Sequence, residues 1–217
     1  QFNLQSYQPG VFIESFHAVG TVVLIPRLAY KFTHDEFEGT TFGNRHASTS
    51  SLWISWNERE STILFWTIDH SNFQDDGLAP SIMSQDGWTN AIGLSHDHQV
   101  DSQYLKLLRT GLDFTKASTD GSDFRFNGVH LFAELIFALG WETELKLRGG
   151  WGYRNYPDFE FTPSRDENIW RVGTELRKAF GNHLSAALVF NYVRFDSQNP
   201  LFEAERILAG VVTTIEY

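Results

Sequence analysis

The 217-residue sequence contains no cysteine. That excludes a disulfide scaffold and a thiolate metal site, and it fits an envelope protein that folds without oxidative help. No stretch approaches eighteen consecutive apolar residues, so a transmembrane helix is excluded. The longest candidates, Val19 to Pro26 and Leu131 to Trp141, are too short, and Glu134 interrupts the second. Basic residues are few: 17 Lys and Arg against 27 Asp and Glu leave a net charge of −10. A phosphate backbone needs a basic surface, so a nucleic-acid partner is not expected. No secretory leader is visible at Gln1, which suggests a mature form or a segment of a longer chain. No Gly-x-Ser-x-Gly elbow, His-Glu-x-x-His pair or phosphate-binding glycine loop is present, so neither an enzyme nor a cofactor is expected.

Aromatic residues, by contrast, are abundant at 15% of the chain, with 19 Phe, 7 Trp and 7 Tyr. A soluble domain must bury that many rings, whereas a transmembrane barrel sets them on its outside, above all at the two water–lipid boundaries. Alternation carries more information than composition. Leu145, Leu147, Gly149, Trp151 and Tyr153 alternate with Glu144, Lys146, Arg148, Gly150 and Arg154. Trp170, Val172, Thr174 and Leu176 alternate with Arg171, Gly173, Glu175 and Arg177. Charges confined to one side at period two predict strands, since a helix would scatter them around its axis. The same pattern, with more noise, runs from Leu24 to Lys31, Leu52 to Asn57, Leu64 to Asp69, Trp88 to Asp97, Leu108 to Phe114, Val129 to Phe137, Leu184 to Tyr192 and Ile207 to Tyr217. These are ten strands. A weaker hairpin, Phe2 to Gln8 and Val11 to His17 around Pro9-Gly10, brings the number to twelve.

Connections alternate in length. Short turns are expected at Asn57 to Ser61, His98 to Gln103, Leu139 to Thr143 and Gly181 to His183. Longer loops are expected at Thr33 to His46, Asn72 to Gly87, Asn155 to Glu167 and Asp196 to Arg206, with a shorter one at Asp120 to Ser122. Bacterial barrels have short periplasmic turns and longer extracellular loops. Counted back from Tyr217, every short turn falls at one end and every longer loop at the other. With both ends of the chain periplasmic, the strand number is even. The loop segments also hold more than half of the 27 acids but only Arg45, Arg165 and Arg206 as bases. Such an acidic rim suits divalent cations that bridge lipopolysaccharide phosphates, although solvated loops commonly carry charge.

The expectation is therefore all-β: one antiparallel up-and-down transmembrane β-barrel over residues 1–217, of about twelve strands (ten or fourteen being the alternatives), in the bacterial outer membrane. Its lumen would be lined by Arg27, Lys31, Arg109, Asp113, Glu134, Glu144, Lys146, Arg148, Arg171, Glu175 and Arg177. A barrel of this size has a narrow interior. Mixed charges there would either pair into a network that stiffens the wall, or leave Arg148, Arg171 and Arg177 as a basic ladder for anionic solutes. His96-Asp97-His98 and Asp69-His70 resemble acid/base or metal material. On a strand, however, Asp97 faces away from both histidines, and His96 and His98 sharing a face fits an interfacial position better than a metal site.

The C-terminal strand, with Val211, Thr213 and Ile215 at alternate positions before a final Tyr217, resembles the signal that outer-membrane barrels present to their assembly machinery. The segment from Arg165-Asp166-Glu167 through Phe180, Gly181-Asn182-His183, Phe195-Asp196-Ser197-Gln198-Asn199-Pro200-Leu201-Phe202 and Arg206 resembles the C-terminal export-type barrels of surface lipoprotein assembly modifiers and exopolysaccharide exporters. It covers roughly a quarter of the chain. The tetratricopeptide repeats that often precede such barrels are not within these residues. The resemblance implies a channel for export or passage of a polar solute or polymer. Its surroundings would be outer-membrane lipid and lipopolysaccharide, the barrel assembly machinery and an envelope protein partner. A structural or assembly barrel with a side-chain-filled lumen is the alternative, and a secreted carbohydrate-binding β-sandwich is a third reading.

Overall fold

A computed structural model describes residues 4–74, 81, 84–181 and 183–215. Tyr217, the last residue of the expected assembly signal, lies outside the described residues. The chain forms one antiparallel sheet whose strands follow one another in sequence. They are β1 (Leu4–Tyr7), β2 (Gly10–Glu14), β3 (His17–Val19), β4 (Val22–Phe37), β5 (Thr40–Ser55), β6 (Glu60–Phe73) and β7 (Gly87–Gln99). These are followed by β8 (Leu105–Thr119), β9 (Phe126–Gly140), β10 (Thr143–Asn155), β11 (Asp166–Ala179), β12 (Leu184–Ser197) and β13 (Ala204–Ile215). Single 3-10 turns lie at Ser122–Phe124 and Pro200–Phe202.

The expected first hairpin does not form. Tyr7 pairs with His34, Gly10 with Lys31 and His17 with Leu24, so β1, β2 and β3 lie end to end along the same edge of β4. Pro9 accepts a hydrogen bond from the Phe32 amide through its carbonyl, so Pro9-Gly10 interrupts one strand and does not turn it back. Among the described residues the sheet therefore has eleven successive lines, where twelve strands were expected. Because every pairing is antiparallel, an odd number makes both edges run the same way. Leu4 lies beside Phe37 at one end of the sheet, and Ile215 lies beside Leu184 at the other. Leu4 and Ile215, the first and last described residues, therefore do not share a side. The loop expected over residues 33–46 is also absent. Thr33 pairs with Arg45 and Asp35 with Gly43, and a two-residue turn closes the hairpin at Glu38 (φ 52°) and Gly39 (φ 79°). Such left-handed pairs match the twist of the flanking strands. The remaining connections on that side, residues 74–86, 120–125, 156–165 and 198–203, are longer than the turns opposite at 20–21, 56–59, 141–142 and 180–183.

The two faces of the sheet differ in kind. Among the described residues, every fully buried strand residue has one parity, including Thr33, Asp35, Ser95, Glu134, Glu167 and Ser197. The other parity carries Leu28, Leu64, Trp66, Ile92, Phe114, Leu131, Trp170, Val172 and Leu188, each between 42% and 60% exposed. Trp53 and the edge residues Phe12, Leu208 and Val212 are exposed on the buried-face parity. The buried side is thus rich in polar and charged groups and the bare side apolar, the reverse of a water-soluble sheet. One cavity is lined both by Ile63 of β6 and by Val193 of β12. The sheet must curl around its buried face to bring those two together.

Candidate functional site

Strand register decides which charges meet on the buried face. Arg148 stands opposite Glu134, Glu134 opposite Arg109, and Arg109 opposite Asp97, all in one row across four strands. Arg109 grips Asp97 with two parallel bonds, Nε to Oδ1 and Nη2 to Oδ2, each 2.6 Å. Its Nη1 donates to Glu134 Oε1 at 3.4 Å. Arg148 Nε donates to the other oxygen of that carboxylate at 2.5 Å, and its Nη2 lies 3.8 Å from Glu175 Oε2. The result is a belt of alternating sign, Asp97, Arg109, Glu134, Arg148 and Glu175, spanning β7 to β11. Forked Arg–carboxylate geometry is the strongest and most directional form of ion pair. The Glu134 side chain is only 9% exposed, which its two cationic partners make tolerable.

Glycines make room for large groups beside this belt. A Cβ at Gly111 would fall 2.5 Å from the Phe132 ring, and one at Gly150 would fall 3.0 Å from His130 Nε2. The ring of His130 is held from its other side by Asp113, with Nδ1 3.1 Å from Oδ2. Nε2 is buried without a partner. Above and around the belt lies a cavity of about 480 Å³, lined by Arg109, Glu134, Arg148, Arg171, Asn191 and Phe132 among others.

All eleven residues expected in the lumen lie on the buried-face parity. They do not act together. Arg109, Glu134, Arg148 and Glu175 belong to the belt. Asp113 holds His130, and Arg27 lies 4.0 Å from Glu14 and stacks 3.9 Å from the Phe12 ring. Arg148 is neutralised by its neighbours, so the three-arginine ladder does not exist as a row of free charges. Arg171 lines the main cavity, and Arg177 sits with Glu144 in a separate recess near the 180–183 turn. Val211 and Thr213 occupy the opposite, apolar parity of β13.

His96 and His98 do share a face. Both rings meet the carboxylate of Glu60, His96 Nε2 at 2.6 Å and His98 Nδ1 at 2.5 Å, while Thr62 holds His96 Nδ1 at 3.0 Å. Among the described residues no group of three or more His, Asp or Glu is arranged to hold a metal.

A second cluster, unforeseen from the sequence, ties three of the long loops together. Arg165, 7% exposed, donates from Nε to Glu167 Oε1 at 2.8 Å and from Nη1 to the Asp123 carbonyl at 2.7 Å. Its guanidinium lies 3.8 Å from the Phe202 ring centre and 4.1 Å from that of Tyr156. The Tyr156 hydroxyl donates to Glu167 Oε2 at 3.0 Å. Asn199 reaches the Pro163 carbonyl at 3.2 Å, and Ser164 reaches Gln198 at 2.7 Å. Burial, with the Glu167 charge beside it, pushes the Tyr156 phenol up to about 12. Burial likewise raises the Asp123 carboxyl, against the pull of Arg165. The three loops lie far apart in sequence, so only the acid–base imbalance of the loop segments hinted that Arg165 would matter.

No protein-family model matches the chain, and no curated protein matches it.

Proposed function

We propose that this chain is a transmembrane β-barrel of the bacterial outer membrane, serving as a channel for export or passage of a polar solute or polymer. The observation that carries the reading is the inverted sheet: charge on the buried face, exposed Leu, Ile, Val and aromatic side chains on the other. An apolar outer surface is stable in lipid and unstable in water, and in lipid every backbone group must find its partner within the protein. That requirement favours closure, with β1, β2 and β3 meeting β13 as a parallel seam. The sorting of long and short connections and the C-terminal resemblance to export-type barrels support the same reading. The partners it implies are outer-membrane lipid, lipopolysaccharide, the barrel assembly machinery and an envelope protein. The belt and the Arg165 cluster favour a second reading, a structural or assembly barrel whose lumen is closed by its own side chains.

The membrane claim predicts extraction only with detergent and a gel mobility that changes on boiling. Recovery in aqueous buffer as a monodisperse monomer would defeat it. In planar bilayers the channel reading predicts discrete conductance steps, whereas a silent, correctly folded protein favours the structural barrel.

A further inference from the structure

We infer that the cavity above the belt is a binding site for a small organic anion: an oxyanion, carboxylate or phosphate, on an apolar body. The belt leaves one arginine of the cavity over. Its arginines have acidic partners within 4 Å, so they offer little to a ligand. Arg171 is different. It stands opposite Gly150 on one side and Val193 on the other, so the β10 residue directly beside it contributes no side chain. Its electrostatic neighbours are Arg154, of like sign, and Asp113, which is already engaged by His130. Among the described residues it has no carboxylate within ion-pair distance. Asn191 lies on the next strand over, opposite Gly173, and lines the same cavity. A forked guanidinium and a nearby amide donor are a suitable pair for two oxygens of one anion.

Beside the belt's own charges, Ser95 and His130, the pocket offers mostly apolar surface. Val193, Phe132 and Ile63 stand in the row of Arg171 and supply a wall against which a hydrocarbon or ring can lie. A volume of about 480 Å³ suits a small molecule, and a mostly apolar lining with a few convergent polar groups is the usual make-up of such sites. The inference goes beyond the channel reading: it needs the curled sheet and its cavity, not a current.

The test uses detergent-folded whole protein that passes the boiling-shift check, with phenylacetate and phenyl phosphate as anionic probes and phenylacetamide as the uncharged control, followed by calorimetric titration. At least one anion is expected to bind and the amide to bind at least tenfold more weakly. The preference between the two anions tells a carboxylate ligand from a phosphate. Arg171→Gln should weaken the anion about tenfold, the loss of one charge-assisted contact. Asn191→Ala should weaken it less, and Arg177→Gln, outside the cavity, should leave it unchanged. Absence of binding by both anions, equal binding of the amide, or undiminished binding to Arg171→Gln would each overturn the site. A protein lacking the boiling shift would instead count against the barrel.

Discussion

The middle of the sheet and its two edges are built from opposite materials. From β7 to β11 the buried face carries the paired charges of the belt, and each strand is hydrogen-bonded on both sides. At the edges the same parity carries Phe12 on β2 and Leu208, Gly210 and Val212 on β13, with both Leu208 and Val212 52% exposed. No charge interrupts β13 from Ile207 to Ile215. Natural edge strands that face water are normally guarded by charge, proline or bulges. The centre is therefore specified by pairing, whereas the edges are mostly apolar surface, with Glu14 and Arg206 as charges on that parity. A strand apolar on both faces is what a seam covered on both sides would require.

The largest effect expected from breaking this contrast lies at Glu134. Glu134→Ala removes the buried carboxylate between the half-exposed Arg109 and Arg148, and should cost about 3 kcal/mol in urea unfolding from micelles. A loss below about 1 kcal/mol would mean that water, and not pairing, carries the belt. Next comes the loop cluster. Arg165→Ala should cost about 2 kcal/mol where three loops meet, seen as faster proteolysis within residues 156–165 while the strands stay protected. Uniform loss of protection would show instead that the loops hold the wall together.

The loop cluster should also respond to alkali. The folded Tyr156 phenol titrates at about 12, above its ordinary value near 10. A raised pKa means the stabilisation is complete below pH 10 and is lost as pH climbs through about 12. Absorbance of phenolate at 295 nm should follow that course in the native protein but not in Tyr156→Phe, whose other tyrosines define the background. The smallest effect is expected at the edge. Leu208→Ala should cost less than about 1 kcal/mol if that face remains uncovered and about 3 kcal/mol if a closed seam buries it. Outward amides of β13 that exchange slowly would likewise indicate closure.

How much of this was legible in the sequence follows the same division. Wherever charges alternate with apolar residues, as from Glu144 to Arg154, both the strand and its buried side could be read directly. Register could not, because it depends on turns and bulges rather than on alternation. The sequence thus showed mixed signs on one face without showing that Arg148 meets Glu134. Pro9-Gly10 looked like a turn because that dipeptide usually is one. The length of β4, which reaches from Val22 to Phe37 and holds three short strands along one side, overrode it. Residues 33–46 looked like a loop because three acids, two histidines and two glycines break the apolar alternation there. Their charges are satisfied across the hairpin instead, with Arg45 on Asp35 at 3.1 Å and His34 on Asn44 at 2.7 Å.

The odd number of lines has one more implication. Leu4 and Ile215 lie at opposite ends of the wall, so with the long connections outside the cell a label joined ahead of Gln1 would meet the cell exterior and one joined after Tyr217 would meet the periplasm. Antibody staining of intact cells would then see the first label and miss the second, a vectorial asymmetry that an even-stranded barrel cannot produce.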